Sequence, residues 1–345
     1  MIRIAKDGER EMKKSVRIGF HSSINEENKI FWQQVLCDEF DVQFVEKDYD
    51  YYIATETIYW SHARMQEFLS CEDDAIRIFW CGEAIFPDLN LFDYAIWHCM
   101  GYFVEDRIIY DPLIRTEIGC MLNEIEEIDR TKNIDSPESL KNILDNKTNF
   151  CNFIYANSKS HPMRDNLFKQ ISKYKRVDSL GRHLKNVEIV DSRDDEDWLK
   201  KSIELKKKYK FTIAAENACF PGYTSEKIMT SMMANSIPIY WGNQYIDKEF
   251  NEKSFINANH YQNIDDLIAR IIELDNDDEQ YIEMLRQPWR TEKQILDCRN
   301  AVDKFVPSLK QIFRQDKNVA YRRPKGCWPD YIYSKFMYFD KNKVF

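Results

Sequence analysis

Three stretches of this sequence place reactive residue types where they could do chemistry. The first is Pro221-Gly222-Tyr223-Thr224-Ser225-Glu226-Lys227, which runs into the apolar segment KIMTSMMANS. A proline and a glycine turn the chain, and a tyrosine, an acid and a lysine then stand where a helix begins. A helix N-terminus has unsatisfied N–H groups and a positive dipole end, so it suits an anion such as phosphate. Lys227 adds a full charge. Glu226 would repel phosphate, so its chemical use is to accept hydrogen bonds from sugar hydroxyls. Each residue also has an ordinary reading: an acid is normal in a first helical turn, a lysine can be solvated, and a tyrosine can be core.

The second stretch is FWCGEAIFPDLNLFDYAIW. Gly82 is expected to relieve a tight turn, which leaves Glu83 at the carboxyl end of a strand among apolar residues. Desolvation there would push its pKa upward, as a general base requires; an exposed loop glutamate is the plain alternative. The third is SHPMRDNLF, where Arg164 falls in the first turn of a helix. A cation at that end is locally unfavourable, and a phosphate held by the guanidinium fork would explain it, as would a surface ion pair.

Positioning these residues calls for an α/β framework. Apolar runs predict strands at 15–20, 40–45, 50–55, 75–80, 93–97, 149–157, 186–190, 211–216, 237–242 and 254–258. Helical patterns fall between them at 25–37, 62–70, from 163, at 195–208 and at 225–234, followed by long helices over 264–287 and 291–315. Thr224 or Ser225 suits an N-cap, and Asn235 suits the residue after the helix end. The strand FTIAAE (211–216) delivers Glu216, and in an open sheet ligands lie outside the carboxyl ends of strands. A polar run over 129–149 reads as a linker between two Rossmann-like halves facing a cleft. The expected domains are 1–148, 149–303 and a basic aromatic segment over 304–345.

Composition narrows the function classes. The chain has 345 residues, nine glycines and a net charge of −9, and it contains neither GxGxxG nor GxxxxGK[ST]. A nucleic-acid binder is therefore not expected. The nine cysteines stand singly, which argues against a zinc site or a disulfide framework and for reduced thiols in the cytoplasm. No signal peptide or membrane span is expected. Three Asp-x-Asp sequences, at 48–50, 195–197 and 275–277, are read as solvated acids rather than metal ligands. The 304–345 segment carries ten Lys/Arg against three Asp/Glu, together with ten aromatic residues. It either packs on the body with its charges solvated or contacts an anionic membrane surface from the cytoplasmic side.

The run AAENACFPGYTSEKIMTSMMANSIPIYWGNQYIDKEFNEKSFINANHY resembles the donor-binding signature of the α-1,3-fucosyltransferases, inverting enzymes that use GDP-fucose. WCGEAIFPDLNLFDYAIW and HPMRDNLFKQISKYKRVDSLGRHLKN resemble two further segments of that family, and the likeness runs over about residues 40 to 300. It implies a GT-B fold, two Rossmann-like domains with the active site between them. It further implies that Glu83 is the general base and that Arg164, Lys227 and Tyr223 contact the diphosphate. Glu226 would contact the ribose or fucose, Glu216 the donor sugar, and Asn217 the donor. No metal or other cofactor is expected, and the acceptor would be a GlcNAc-containing oligosaccharide or glycolipid fucosylated in α-1,3 or α-1,4 linkage. Other readings are a GT-B enzyme with another nucleotide sugar, a catalytically silent glycan- or nucleotide-binding protein, and a membrane-associated assembly factor.

Overall fold

A computed structural model describes residues 13–22, 24–72, 74–98, 106–111, 134, 136–188 and 198–324. The first half contains β1 (Lys14–Phe20), α1 (Glu26–Leu36), β2 (Phe40–Phe44), β3 (Tyr51–Thr55), α2 (His62–Leu69), β4 (Ile76–Trp80), β5 (Tyr94–Trp97) and β6 (Ile108–Tyr110). The second contains α3 (Pro137–Asp145), β7 (Asn149–Phe153), α4 (Met163–Tyr174), β8 (Val177–Ser179), α5 (Trp198–Lys206), β9 (Tyr209–Ala215), α6 (Glu226–Met233), β10 (Ile237–Trp241) and β11 (Ile256–Asn257). Three helices follow, α7 (Ile264–Asn276), α8 (Asp278–Arg286) and α9 (Glu292–Arg314).

The strands form two parallel sheets, ordered β2-β1-β3-β4-β5-β6 and β11-β10-β9-β7-β8. Their central strands are apolar along their whole length: IRIFW in β4 and IPIYW in β10 are buried at every position. A parallel sheet covered by helices on both faces produces such runs, because neither face meets water. Strand order reverses between β1 and β3 in one sheet and between β7 and β9 in the other, and a crevice opens at each reversal. This is the expected α/β architecture of two Rossmann-like halves.

Several expectations about single elements need correction. Within the expected linker, residues 137–145 form α3, whose N-cap Ser136 accepts a hydrogen bond from the Ser139 amide at 3.0 Å. The strand expected at 186–190 is irregular over 186–188, and β8 takes its place in the sheet. Asn186 explains the exchange. Its side-chain amide donates to the Val177 carbonyl and accepts from the Ser179 N–H, both at 2.8 Å, so a side chain pairs the sheet edge as a strand would. The helix expected over 264–287 breaks at Asp277, which leaves the helical region (φ −117°, ψ 97°) and caps α8 through Gln280. Gly82 has no positive φ, and a Cβ there would meet nothing within 4 Å, so no tight turn demands glycine at that position.

Over its described part the basic C-terminal segment packs its apolar residues on the first half, while Lys304 and Arg314 stay exposed and several of its cations pair with acids there. Phe305, Leu309, Ile312 and Phe313 of α9 are buried in the first half's core beside Trp32 and Tyr51. Lys310 pairs with Asp38 at 2.6 Å, Arg314 with Glu39 at 2.6 Å, Lys317 with Asp74 at 2.8 Å and Arg322 with Asp106 at 2.7 Å. Arg323 pairs with the buried Asp93, which also accepts the backbone N–H groups of Arg77, Arg322 and Arg323. Residues 325–345 lie outside the described part of the chain. No described helix is long and apolar enough to cross a membrane.

The Asp-x-Asp acids likewise hold the fold together. Asp275, nearly buried, takes Tyr174, Lys175 and Lys210, and Asp277 is the cap just described. Asp50 pairs with Arg17 at 3.1 Å, while 195–197 lies outside the described residues. Asp50, Asp275 and Asp277 are therefore not simply solvated acids, whereas Asp48 is exposed. Among the described residues, no group of three or more His, Cys, Asp or Glu is placed to hold a metal ion.

Candidate active site

The site forms where the β7/β9 crevice of the second half meets the loop after β4 of the first. Two loops leave the carboxyl ends of β7 and β9. One leads to α4 and Arg164; the other carries Glu216, Asn217 and the 221–227 turn into α6. That helix is anchored by its apolar face, Ile228, Met229 and Met232, against Ala214, Tyr240, Ile246, Phe250 and Phe255. Its C-terminal end is closed by Asn235 in the left-handed region at φ 50°, as its sequence position led one to expect.

Its N-terminal end departs from expectation. Ser225 is the N-cap, but its hydroxyl makes no capping bond. It donates instead to Glu216 Oε2 at 2.6 Å, and the Ser225 amide donates to Glu216 Oε1 at 2.8 Å. Lys227 Nζ lies 3.1 Å from Glu216 Oε2, donates to Ser225 Oγ at 2.6 Å and sits 3.7 Å from Glu226. Glu216, expected at the donor sugar, is fully buried with both carboxylate oxygens engaged by the protein. Its observed task is to hold the helix mouth and orient Lys227. Gly242, at φ 150°, is required opposite it, because a Cβ there would stand 2.5 Å from Glu216 Cγ.

A residue that sequence reading did not single out locks the turn itself. Asn243, fully buried, accepts the N–H groups of Gly222 at 2.8 Å and Tyr245 at 2.9 Å. Its amide nitrogen donates to Thr224 Oγ1 at 2.9 Å and Glu249 Oε1 at 3.3 Å, and Gly222 takes φ 81°. Burial pushes the Glu249 carboxyl up to about 8; the Thr224 hydrogen bond and Arg290 oppose this, and the Glu216 charge adds to it. No local pattern marks Asn243, because the turn it locks, through Gly222 and Thr224, lies some twenty residues earlier in the chain. A glycine-asparagine pair closing an apolar strand is the only trace it leaves.

Arg164 is buried, with its guanidinium carbon 4.1 Å above the Tyr155 ring. Nη2 donates to Asn217 Oδ1 at 2.5 Å and the Ala215 carbonyl at 3.2 Å, while Nε has no hydrogen-bond partner. No described carboxylate pairs with it, which excludes the surface ion pair offered as its plain reading. A buried cation without a counter-charge is costly, and an orphaned buried N–H calls for an acceptor. An anion entering the crevice would answer both needs.

Glu83 reaches this site from the other half. Tyr223 Oη donates to Glu83 Oε2 at 2.9 Å, and Asn217 Nδ2 donates to the same oxygen at 3.3 Å. The carboxylate is half-buried and meets polar groups of the opposite half rather than the purely apolar surroundings expected. Behind it stands Glu56, a residue sequence reading missed at the end of β3. Burial pushes the Glu56 carboxyl up, and the Glu83 charge pushes it further, against the hydrogen-bonding influence of Gly82 and Cys81. His98 packs on Tyr223 with ring centres 5.3 Å apart, and its burial lowers its pKa to about 3, so it forms a neutral wall. The geometry thus brings together Glu83, Arg164, Glu216, Asn217, Tyr223, Glu226 and Lys227 from two sheets. It can seat an anion beside a cation pair and place a carboxylate at the mouth of that seat.

Comparison with known proteins bears on the family and the fold. The chain resembles the α-(1,3)-fucosyltransferase FucT of Helicobacter pylori, with 27% identity over 233 residues, 61% of this chain and 47% of that protein. A protein of Acanthamoeba polyphaga mimivirus named as a fucosyltransferase is 40% identical over 146 residues, 41% of this chain and 24% of that one. The chain therefore spans less than half the length of these curated relatives. The crystal structure of an α1,3-fucosyltransferase with GDP-fucose superposes with a TM-score of 0.66 at 20% identity, covering 92% of this chain and 94% of that one. This likeness shows the shared GT-B fold. The model of the C-terminal part of glycosyltransferase family 10 (fucosyltransferase) matches residues 144–318, more than half of the chain and the whole of the α4, β9, α6 and β10 framework. The chain belongs to glycosyltransferase family 10, the fucosyltransferase family.

Proposed function

We propose that this protein transfers L-fucose from GDP-β-L-fucose, with inversion, to a hydroxyl of a GlcNAc-containing glycan, giving an α-1,3 or α-1,4 fucoside. The observation that carries the reading is Arg164: a buried guanidinium with an orphaned N–H and no acid partner, at the strand reversal where α/β sheets bind ligands. Residues 149–303 would hold the donor and residues 1–148 the acceptor. The diphosphate lies against Arg164 and Lys227, whose charges stabilise the leaving group as its negative charge grows. Those cations do the work that a metal would do, so no cofactor is assigned. Glu226 accepts hydroxyls of the ribose or fucose, and Glu216 acts from behind by orienting Lys227.

Glu83 stands opposite the leaving group and takes the proton of the attacking hydroxyl. Attack on the face away from GDP converts a β-linked donor into an α-fucoside. The acceptor loops near 58–62 and 97–106 select the sugar. For peripheral contact with a cytoplasmic membrane face, five of the described C-terminal cations, Lys310, Arg314, Lys317, Arg322 and Arg323, are already paired with acids of the protein. The reading is tested by incubating the full chain with GDP-fucose, GDP-mannose and UDP-sugars over a small panel of GlcNAc-containing acceptors. Product mass and linkage analysis are expected to show a 3- or 4-linked fucoside from GDP-fucose alone. Transfer from another donor would replace the donor assignment, and tight GDP binding without turnover would favour a silent binding protein.

A further inference from the structure

The two halves meet at the cleft through a continuous hydrogen-bonded chain. Arg164 Nη2 donates to Asn217 Oδ1, Asn217 Nδ2 donates to Glu83 Oε2 and lies 3.5 Å from Tyr223 Oη, and Tyr223 Oη donates to Glu83 Oε2. We propose that Tyr223 and Asn217 are positioning residues for Glu83, so that the donor half of the protein sets where the acid of the other half stands. This rests on the reading of Glu83 as the base, and it gives Tyr223 a different task from the diphosphate contact implied by the family resemblance.

Glu83 has little to hold it on its own side. Its loop is fixed through the main chain, by Ile85 N–H at 2.7 Å and Cys81 Sγ at 3.1 Å, both to the Glu83 carbonyl. Space beside Gly82 is open. Among the described residues, every hydrogen bond to the Glu83 carboxylate comes from the second half. The donors, by contrast, are themselves constrained. Tyr223 is buried, its ring lies against His98, and its turn is tied to Asn243 through Gly222. The orientation of the Asn217 amide follows from its neighbours: Arg164 can only donate, so the oxygen must face it and the nitrogen must face Glu83. The Asn217 carbonyl also takes the His161 N–H at 2.8 Å, at the start of the helix that carries Arg164.

Both bonds fall on Oε2, which leaves Oε1 to accept the proton of an incoming hydroxyl. One side-chain amide touches both the cation of the anion seat and the carboxylate, so occupancy of that seat is felt at the base.

The test uses Tyr223→Phe in the full chain, which keeps the buried ring and removes only the hydroxyl. The expected result is a fall in kcat of about tenfold or more, with KM for GDP-fucose and the calorimetric affinity for GDP within about twofold of wild type. A merely structural tyrosine would not divide the parameters in this way. A second arm measures Tm in a cycle of Tyr223→Phe, Glu83→Ala and the double variant. If the bond exists, Tyr223→Phe lowers Tm more in the wild type than in the Glu83→Ala background. Additive Tm shifts would overturn the proposal, as would lost GDP affinity with kcat unchanged, which would return Tyr223 to the diphosphate. Should the wild type transfer no fucose at all, the functional reading fails, while the Tm cycle still upholds or overturns the positioning of Glu83.

Discussion

The turn at 221–227, the proposed donor seat, and the loop at 81–85, which carries the proposed base, meet at one site but are built in opposite ways. The turn is fixed from within its own half: Glu216 and Asn243 are fully buried, and between them they bind Gly222, Thr224, Ser225 and Lys227. The base loop has room around Gly82 and a half-buried Glu83 whose carboxylate bonds lead to Asn217 and Tyr223. One side of the cleft is thus held by contacts within its own half, and the other by contacts across the cleft. A charged seat has to be prebuilt, because a buried cation is tolerated only when its surroundings hold it in place. On the proposed assignment, holding Glu83 through Asn217 and Tyr223 ties proton removal to the donor half.

Substitutions on the two sides should therefore behave differently. The largest effect is expected from Glu83→Gln, with transfer falling by about 10²–10⁴-fold and GDP affinity near wild type; a variant that keeps most of its rate would remove the base from the first half. Next comes Lys227→Ala, which should weaken GDP binding about tenfold and lower Tm, since it also strips the counter-charge from buried Glu216. Unchanged GDP affinity, read by calorimetry, would confine Lys227 to a structural role. Glu249→Gln should act through pH. With its folded pKa raised to about 8, Glu249 keeps a proton that the unfolded chain releases near 4.5, so stability is lost as pH rises between those values. The glutamine has no proton to lose, so its Tm advantage over the wild type should be a few degrees at pH 8 and vanish near pH 5. An equal advantage at both pH values would deny the buried, protonated state.

The smallest effects give the sharpest contrast between the two sides. Gly242→Ala should cost roughly 1–3 kcal/mol, because a Cβ strikes the buried Glu216. Gly82→Ala should change stability by less than about 0.5 kcal/mol. Denaturant unfolding measures both, and equal losses would mean that the base loop is as tightly built as the donor turn.

Much of the fold was legible because parallel strands buried on both faces leave unbroken apolar runs such as IRIFW and IPIYW. The elements that were misread are those with another source of order. Strand 177–179 (VDS) is too short and polar to read as a strand, though it pairs with β7 and its outer edge is bonded by the Asn186 amide, and the helix break at 277 depends on one capping aspartate. The basic tail's sequence gives no sign of the first-half acids with which Lys310, Arg314, Lys317 and Arg322 pair.

At the site, the residue types were readable and their partners were not. The turn residues, the N-cap at Ser225 and the asparagine at 235 are written in short-range chemistry, because backbone sterics and dipoles act over a few residues. The chemistry available to a lone glutamate at a strand end and to an arginine in a first helical turn is equally local, as is the family pattern they belong to. Partnership is not local. Glu216 turned inward to Ser225 and Lys227, Asn243 became the lock of a turn twenty residues earlier, and Glu83 came under Tyr223 across a gap of 140 positions. Hydrogen bonds and ion pairs are decided by distance in space and by exclusion of water, and only the packing of two sheets around one cleft supplies those.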